Sequence, residues 1–209
     1  MWRGPNHQPP SVRGGWRNAR LGHENGLDMD DMTAAGRTRA GSTQARIPDP
    51  PPPQMGLGEV CLVVAWLNGS GAVYQVNGGW GVDGLVGRQT RPHRDLDVFI
   101  DAEREPEARA WLTSRGYSVV EDWHPVRVEL AGPHGRVDLH PMRIVSAEGD
   151  GLQQGLGDEV FLHAARDRVV GRIGDQPVVV ARAERVRELR RGYEAREVDR
   201  HDLAQIAEL

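Results

Sequence analysis

The sequence predicts an α+β fold in which a mixed sheet is flanked by helices. Three observations lead to this prediction. Between residues 58 and 100 the apolar pattern changes period in the order helix, strand, helix, strand. Further alternating segments follow between residues 117 and 180. The first 55 residues show neither period, so we expect them to form a disordered N-terminal extension outside the domain.

The extension is rich in proline, arginine and glycine. It holds 8 of the 14 prolines, four of them consecutive at residues 50–53. It has few apolar side chains with which to offset the entropy lost on ordering. Residues 1–55 are therefore interpreted as a disordered tail, as a ligand for a proline-recognising module, or as sequence upstream of a true start at Met55. Residues 56–209 are expected to form one domain.

Composition excludes several classes of protein. The net charge of −4 provides no basic field that would attract duplex nucleic acid. The single cysteine, Cys61, excludes an intrachain disulfide and favours a reducing compartment. No apolar run approaches the roughly 20 residues that a membrane helix needs. We expect a cytoplasmic protein that does not span a membrane.

The first predicted elements lead to a pair of glycines. Apolar residues at helical spacing predict a helix that begins at Gly58 and ends at Asn68-Gly69, and residues 73–76 form a short predicted strand. The pair Gly78-Gly79 then turns the chain into a helix over residues 80–86. A glycine pair before a helix leaves backbone N–H groups and the positive end of the helix dipole accessible to phosphate.

Two carboxylates lie on the next predicted strand, which begins at Asp95. Side chains alternate along a strand, so Asp95 and Asp97 share one face while Leu96 and Val98 share the other. Carboxylates that lie side by side repel one another unless a proton or a cation lies between them. A phosphate cradle beside such a pair is typical of phosphoryl and nucleotidyl transfer.

A later strand, residues 136–141, supplies a third acid. Val137 and Leu139 share its apolar face, and Asp138 and His140 share the opposite face. We expect this polar face to lie beside the first carboxylate strand and to complete a cluster of three acids. The remaining predicted elements are a helix over 103–114, strands over 117–120 and 126–130, a hairpin over 168–180, and helices over 182–191 and 199–209, the last capped by Asp199.

Three segments carry a resemblance to a known family: residues 78–97, 137–141 and 192–203. Together they resemble the signature of the aminoglycoside 2''-adenylyltransferase and lincosamide nucleotidyltransferase group, within the DNA polymerase β-like nucleotidyltransferase superfamily. The resemblance extends from about Met55 to Leu209. It implies a polymerase-β-like nucleotidyltransferase fold for the mixed sheet.

The resemblance also implies a reaction. A hydroxyl group of a small molecule, such as an antibiotic, would attack the α-phosphorus of ATP or another nucleoside triphosphate and release pyrophosphate. Asp95, Asp97 and Asp138 would be the catalytic residues and would hold one or two Mg²⁺ ions, and Asp138 would also take the acceptor's proton. The nucleotide would be bound by residues around the glycine pair: Gly78, Gly79, Arg91, His93 and Arg94.

Two other interpretations stay open at this point. One is a non-catalytic nucleotide- or partner-binding protein on the same fold, against which the three intact acids argue. The other is a metallohydrolase with mixed ligands: His93, Asp95, Asp138 and His140. The identity of the acceptor, the preferred nucleotide and the formation of a homodimer are left open by the sequence.

Overall fold

The computed structural model describes residues 54–191 and 194–209. These residues form five α-helices, one short 3₁₀ helix (Ala165–Asp167) and nine strands, as expected for an α+β protein. The helices are α1 (Leu57–Ser70), α2 (Gly78–Val86), α3 (Glu105–Ser114), α4 (Ala183–Leu189) and α5 (Glu197–Gln205). The strands are β1 (Tyr74–Val76), β2 (Asp95–Asp101), β3 (Ser118–Trp123), β4 (Arg127–Gly132), β5 (Gly135–Ile144), β6 (Gly151–Gln154), β7 (Val160–His163), β8 (Arg168–Ile173) and β9 (Gln176–Ala181). The predicted disordered extension, apart from its last two residues, lies outside the described residues, as do Gly192 and Tyr193 of the third resembling segment.

All nine strands belong to one mixed sheet. Its main path has the order β3-β4-β5-β2-β1-β9-β8, and β6 and β7 continue from β5 as antiparallel neighbours. The two central strands, β2 and β5, are parallel and place Asp97 opposite Asp138. Parallel neighbours cannot be joined by a tight turn. The segment from α3 through β4 therefore connects them.

The central strands turn one apolar face towards the helices. Leu96 and Val98 on β2, and Val137 and Leu139 on β5, are at most 1% exposed. These four residues are the ones that the alternation placed on the apolar face, so that prediction is confirmed. The acidic residues consequently leave the sheet on the opposite face.

Helix α1 contributes a row of apolar residues to this core. Val60, Val63, Val64 and Leu67 are buried, at the three- and four-residue intervals that place them on one side of a helix. The helix ends at Gly71, whose left-handed backbone is the usual helix terminator. It is slightly longer at both ends than the sequence predicted. None of the helices in the described part of the chain is long and apolar enough to cross a bilayer.

Met55 belongs to the folded domain, although we expected the extension to run through residue 55. Its side chain is buried in the core, and its backbone N–H donates to the carbonyl oxygen of His93 at 2.9 Å. The apolar side chain and this backbone pairing tie the segment before α1 to the loop before β2.

Two strands in the second half of the chain were not predicted. β6 and β7 have only four residues each, and their inward-facing positions include Gln153 and His163, both buried. Inward-facing polar side chains remove the apolar alternation by which a strand is recognised in a sequence.

The last helix starts earlier than predicted. We expected Asp199 to be the capping residue, but α5 begins at Glu197 with Arg196 as its N-cap. Asp199 occupies the third helical position, and its carboxylate accepts the backbone N–H of Arg196 at 3.0 Å. The capping-box interaction is therefore present with Asp199 as its acidic partner instead of its cap.

Asp202 joins α5 to the loop before β2, and its removal should destabilise the fold. Its carboxylate accepts two hydrogen bonds from Arg91 and one from Arg190, all at 2.9 Å, and its side chain is 1% exposed. Asp202→Ala leaves both guanidinium groups without this partner, so we expect the free energy of unfolding to fall by about 3 kcal/mol. Chemical denaturation measures this loss.

A matched control separates this effect from the loss of any surface carboxylate. The side chain of Glu184 is 61% exposed and lies 3.9 Å from Arg182. Glu184→Ala should change the free energy of unfolding by less than about 0.5 kcal/mol. Similar losses in the two variants would contradict the proposed role of Asp202.

Candidate active site

Two carboxylates face each other across the central strand pair. Asp97 on β2 and Asp138 on β5 are in register, so their side chains leave the sheet side by side. His140, two residues further along β5, leaves by the same face, and its Nε2 lies 3.7 Å from Oδ1 of Asp97. One possible ligand atom from each of these three side chains lies within 4.8 Å of the others. The polar faces of the two strands thus meet, as their alternation predicted.

Burial and repulsion both act on the carboxyl group of Asp138. Burial raises its pKa most, the neighbouring carboxylate of Asp97 raises it further, and the guanidinium of Arg127 lowers it. The resulting pKa is about 8. A carboxyl group with this pKa keeps its proton at neutral pH unless a cation takes the proton's place. The arrangement therefore favours a cation between Asp97 and Asp138.

Asp95 lies at the edge of this cluster. It shares a face of β2 with Asp97, but its carboxylate accepts a hydrogen bond from Nε of Arg94 at 2.9 Å, and its side chain is 26% exposed. Among the described residues, the compact donor cluster contains Asp97, Asp138 and His140 and leaves Asp95 out. The cluster of three aspartates stays a prediction: Asp97 and Asp138 lie together beside His140, and Asp95 lies at the edge, paired with Arg94.

The glycine pair lies directly against the cluster. Gly78 has a φ of +60°, and a Cβ atom built on it would lie 2.1 Å from Oδ2 of Asp97. A Cβ on Gly79 would lie 2.2 Å from Nδ1 of His93. The backbone N–H of Asn77 donates to the carbonyl oxygen of Asp97 at 2.9 Å. Only residues without side chains allow the first turn of α2 to approach the acids this closely, and the positive end of its dipole therefore lies beside them.

The glycine pair is part of helix α2 itself. We expected Gly78-Gly79 to form a turn before a helix over residues 80–86, but α2 begins at Gly78 after Asn77 as its N-cap. Trp80 and Asp83 are buried within the same helix. The predicted phosphate-binding backbone is therefore the first turn of α2.

Two of the predicted nucleotide-binding side chains are engaged inside the protein. Nε2 of His93 lies 2.5 Å from Oδ2 of Asp83, and both side chains are buried. The guanidinium of Arg91 is paired with Asp202. Both side chains support the loop between α2 and β2. Of the three predicted basic residues, Arg94 is the one whose carboxylate partner belongs to the site.

Arg127 on β4 is a site residue that sequence reasoning missed. Its Nη1 donates to Oδ1 of Asp138 at 3.0 Å, and its guanidinium lies over the ring of Trp123, 5.0 Å from the ring centroid. It also forms ion pairs with two further carboxylates, those of Glu121 and Glu129. Arg127 alternates with buried Val128 along the predicted strand, so it was expected on the polar face of that strand. Its contact with Asp138 becomes visible only when the pairing of β4 with β5 is known.

Gln153 and His163 were also missed. Gln153 contacts His140, and His163 contacts Gln153, at 3.3 and 3.1 Å. Because β6 and β7 were not predicted, no signal in the sequence placed these two side chains near the acids.

The chain is similar to proteins of one family. The sequence profile described as aminoglycoside-2''-adenylyltransferase matches residues 59–206. A lincosamide resistance protein of Staphylococcus haemolyticus is 40% identical over 72 residues, which are 34% of this chain and 45% of that protein. A 2''-aminoglycoside nucleotidyltransferase of Klebsiella pneumoniae is 38% identical over 47 residues, which are 22% of this chain and 27% of that protein. The chain thus matches less than half the length of these two relatives.

Solved structures show the same fold. The lincomycin-bound crystal structure of the lincosamide antibiotic adenylyltransferase LnuA has a TM-score of 0.67 and 25% identity, over 74% of this chain and 98% of that chain. The structure of ANT(2'')-Ia in complex with adenylyl-2''-tobramycin has a TM-score of 0.56 over 72% of this chain and 87% of that chain. Its 16% identity extends the likeness to the fold alone. The predicted nucleotidyltransferase fold is therefore confirmed.

Substitution of Gly78 should distinguish the stability cost of close packing against Asp97 from the cost of backbone strain. Gly78 and Gly87 both have a positive φ, of +60° and +82°, but a Cβ on Gly87 would meet nothing within 4 Å. Gly87→Ala should therefore cost only the backbone strain, about 1–2 kcal/mol. Gly78→Ala should cost more and should also weaken Mn²⁺ binding, because its methyl group displaces the carboxylate of Asp97.

Thermal unfolding and Mn²⁺ titration followed by electron paramagnetic resonance measure these two effects. Equal losses of stability in Gly78→Ala and Gly87→Ala, with Mn²⁺ affinity unchanged in both, would contradict the close approach of Gly78 to Asp97.

Asp138→Asn should stabilise the protein when divalent cations are removed. The folded state raises the pKa of Asp138 to about 8, so stability is lost as pH rises from the carboxyl's ordinary pKa through about 8. In the presence of a chelator, the variant should therefore be more stable than the wild type near pH 8 and nearly equal to it near pH 4. Urea unfolding at the two pH values measures the difference. A variant that is less stable than the wild type near pH 8 would contradict the raised pKa.

Proposed function

Because the chain belongs to the aminoglycoside-2''-adenylyltransferase family, we propose that it is a metal-dependent nucleotidyltransferase. It transfers a nucleoside monophosphate, AMP from ATP, to a hydroxyl group of a small molecule and releases pyrophosphate. The observation that carries the proposal is the register of β2 and β5, which sets the carboxylates of Asp97 and Asp138 side by side. We assign this function to a domain that begins at Met55.

The residues present fit a hard divalent cation. Mg²⁺ and Mn²⁺ prefer oxygen ligands, and carboxylates that lie side by side need a positive charge between them. Asp97 and Asp138 would hold such an ion, and Asp95 would join them after its carboxylate is released by Arg94. When bound, the cation would neutralise the carboxylates and polarise a phosphate oxygen.

The chain's own groups account for binding and proton transfer. The N–H groups in the first turn of α2 lie beside Asp97 and are available to the oxygens of a triphosphate. Arg94 is half exposed at the edge of the cluster and supplies a positive charge for the same oxygens. Asp138 is the group that takes the proton of the attacking hydroxyl: the bound cation would offset the charge of Asp97 and leave the carboxylate of Asp138 ionised and able to accept that proton.

The acceptor is proposed from the relatives. They are named for lincosamide resistance and for 2''-aminoglycoside nucleotidyl transfer, so a small hydroxylated antibiotic is the acceptor class to test first. The face of the sheet beside Asp138 carries Glu121, Glu129 and Arg127 together with the ring of Trp123. These groups offer polar contacts and one aromatic surface to such a molecule.

The metallohydrolase interpretation loses support from the position of His93. Its imidazole lies against Asp83, 2.5 Å away, whereas that interpretation requires it to be a ligand beside Asp95 and Asp138. The non-catalytic interpretation remains as the alternative function. A non-catalytic protein would have the same nucleotide site as the enzyme but no turnover, so the assay below distinguishes the two functions. Cytoplasmic location and homodimer formation stay predictions.

The proposal is tested by incubating the protein with labelled ATP, Mg²⁺ and a panel of lincosamides, aminoglycosides and hydroxylated metabolites. We expect release of pyrophosphate together with an acceptor whose mass increases by one nucleotide. Asp97→Asn and Asp138→Asn should each reduce kcat by about a thousandfold, because a lost metal ligand removes several kcal/mol of transition-state stabilisation.

Asp158→Asn is the control, since Asp158 is an exposed carboxylate; it should leave kcat unchanged. Full turnover in the variants of Asp97 or Asp138 would contradict the metal assignment. Nucleotide binding without turnover on any acceptor would favour the non-catalytic interpretation.

A further inference from the structure

One row of four carboxylates crosses the sheet beside the site. The register of the strands places Asp97 opposite Asp138, and Asp138 opposite Glu129. Glu121 on β3 lies opposite Glu129 in turn. Neighbouring strands are about 5 Å apart, and like charges directly opposite one another destabilise a sheet. The row therefore needs positive charge along its whole length, and not only between the two aspartates.

One arginine pairs with three of these four acids. Nη1 of Arg127 donates to Oδ1 of Asp138 at 3.0 Å and to Oε2 of Glu129 at 3.3 Å. Its Nη2 donates to Oε2 of Glu121. An arginine presents its N–H donors in a fixed planar fork, so carboxylates on three strands share one rigid group. The position of each of these carboxylates is thereby tied to the positions of the other two.

Charge along the row is balanced at one end and not at the other. Arg136 pairs with Glu129 and is the second cation of the row. Four carboxylates and two guanidinium groups leave a formal excess of two negative charges. Because Arg127 and Arg136 lie among the glutamates, this excess falls at Asp97 and Asp138, where one divalent cation would balance it.

Arg127 is anchored independently of Asp138. Trp123 lies opposite Arg127 in the register of β3 and β4, and the guanidinium lies over the Trp123 ring, 5.0 Å from the ring centroid. The side chain of Arg127 is 22% exposed. The ring and the two glutamates would keep the guanidinium in place if its contact with Asp138 were removed. The carboxylate of Asp138 therefore adjusts to Arg127, and not the reverse.

We propose that Arg127 is a positioning residue, which holds Oδ1 of Asp138 and leaves Oδ2 for the cation. In the described part of the chain, Arg127 is the residue whose side chain donates to Asp138. Hydrogen-bonded partners of this kind orient the groups that bind a metal ion, and their loss weakens metal binding or activity about 10- to 100-fold. This inference rests on the proposed function for the presence of the cation, whereas the ion pair between Arg127 and Asp138 does not depend on it.

Orientation and charge predict opposite effects on cation binding. A guanidinium repels a metal ion, so Arg127→Met should strengthen Mn²⁺ binding if Arg127 acts by its charge alone. If Arg127 orients Asp138, the same variant should weaken Mn²⁺ binding by at least about tenfold. Arg127→Lys keeps the charge but loses the planar fork, so it should also bind Mn²⁺ more weakly than the wild type. Mn²⁺ titration of the full chain, followed by electron paramagnetic resonance, measures both affinities.

Arg115, which follows α3, provides a matched control. Its guanidinium lies over the ring of Trp111, 5.1 Å from the ring centroid, and pairs with the carboxylate of Glu59 at 2.8 Å. Arg115→Met should lose stability as Arg127→Met does, but its Mn²⁺ affinity should stay within about twofold of the wild type, since no partner of a metal ligand is lost. Mn²⁺ binding that is unchanged or stronger in Arg127→Met would overturn the proposal. A wild type that binds no Mn²⁺ would contradict the proposed function as well.

The kinetic constants distinguish the orientation of Asp138 from binding of the acceptor. Arg127→Met should lower kcat at least about tenfold and change the KM for ATP less than about threefold. A raised KM for the acceptor with kcat unchanged would overturn the proposal, because Arg127 would then bind the acceptor. In the Asp138→Asn background, Arg127→Met should cost less than about a further twofold in kcat, since Arg127 acts through a carboxylate that is already lost. A full additional loss in that background would contradict the proposal.

Crystals of the wild type grown with Mn²⁺ provide a readout that needs no variant. The guanidinium of Arg127 should stay on Oδ1 of Asp138 when the ion is bound. A Mn²⁺-bound structure in which Arg127 has left Asp138 would overturn the proposal, even if every variant of Arg127 loses activity.

Discussion

The parallel pairing of β2 with β5 is the constraint on which the rest of the site depends. It brings the carboxylates of Asp97 and Asp138 side by side on the face of the sheet opposite the apolar core, where their repulsion must be offset. The apolar residues between them, Leu96 and Leu139 among others, pack on the opposite face and hold both strands in this register. A slip of one residue would turn the acids into the core, so the hydrophobic core and the acidic pair specify each other.

The groups around Asp97 and Asp138 bring positive charge and N–H donors to the two carboxylates, and they add no side chains that block access. Gly78 lets the first turn of α2 approach Asp97, and Asp83 and His93 fix the loop that follows the helix. Arg127 reaches Asp138 from β4. These contacts involve α2, the loop before β2, and the strands β2, β4 and β5, so the site exists only when the sheet is complete.

Much of the fold and part of the site could be predicted from the sequence, because strand alternation is a local rule. It placed Asp97, Asp138 and His140 correctly, and it separated them from the apolar face. What it could not supply was the choice of ion-pair partners. Arg91 pairs with Asp202 on a helix more than a hundred residues away, a choice that depends on tertiary packing.

The two unpredicted strands set a second limit on what the sequence could predict. β6 and β7 are short and carry buried polar residues, so neither period nor composition identified them. They nevertheless supply Gln153, which contacts the imidazole of His140 beside the acids, and His163, which contacts Gln153. A functional role that is assembled by hydrogen bonds between distant segments is visible only once the pairing of β5, β6 and β7 is known.

The most direct measurement is the anomalous diffraction of crystals grown with Mn²⁺ and a non-hydrolysable analogue of ATP. A Mn²⁺ peak that contacts carboxylate oxygens of both Asp97 and Asp138, with the triphosphate beside Gly78, is the expected result. A Mn²⁺ ion bound elsewhere, or one that touches neither carboxylate, would contradict it.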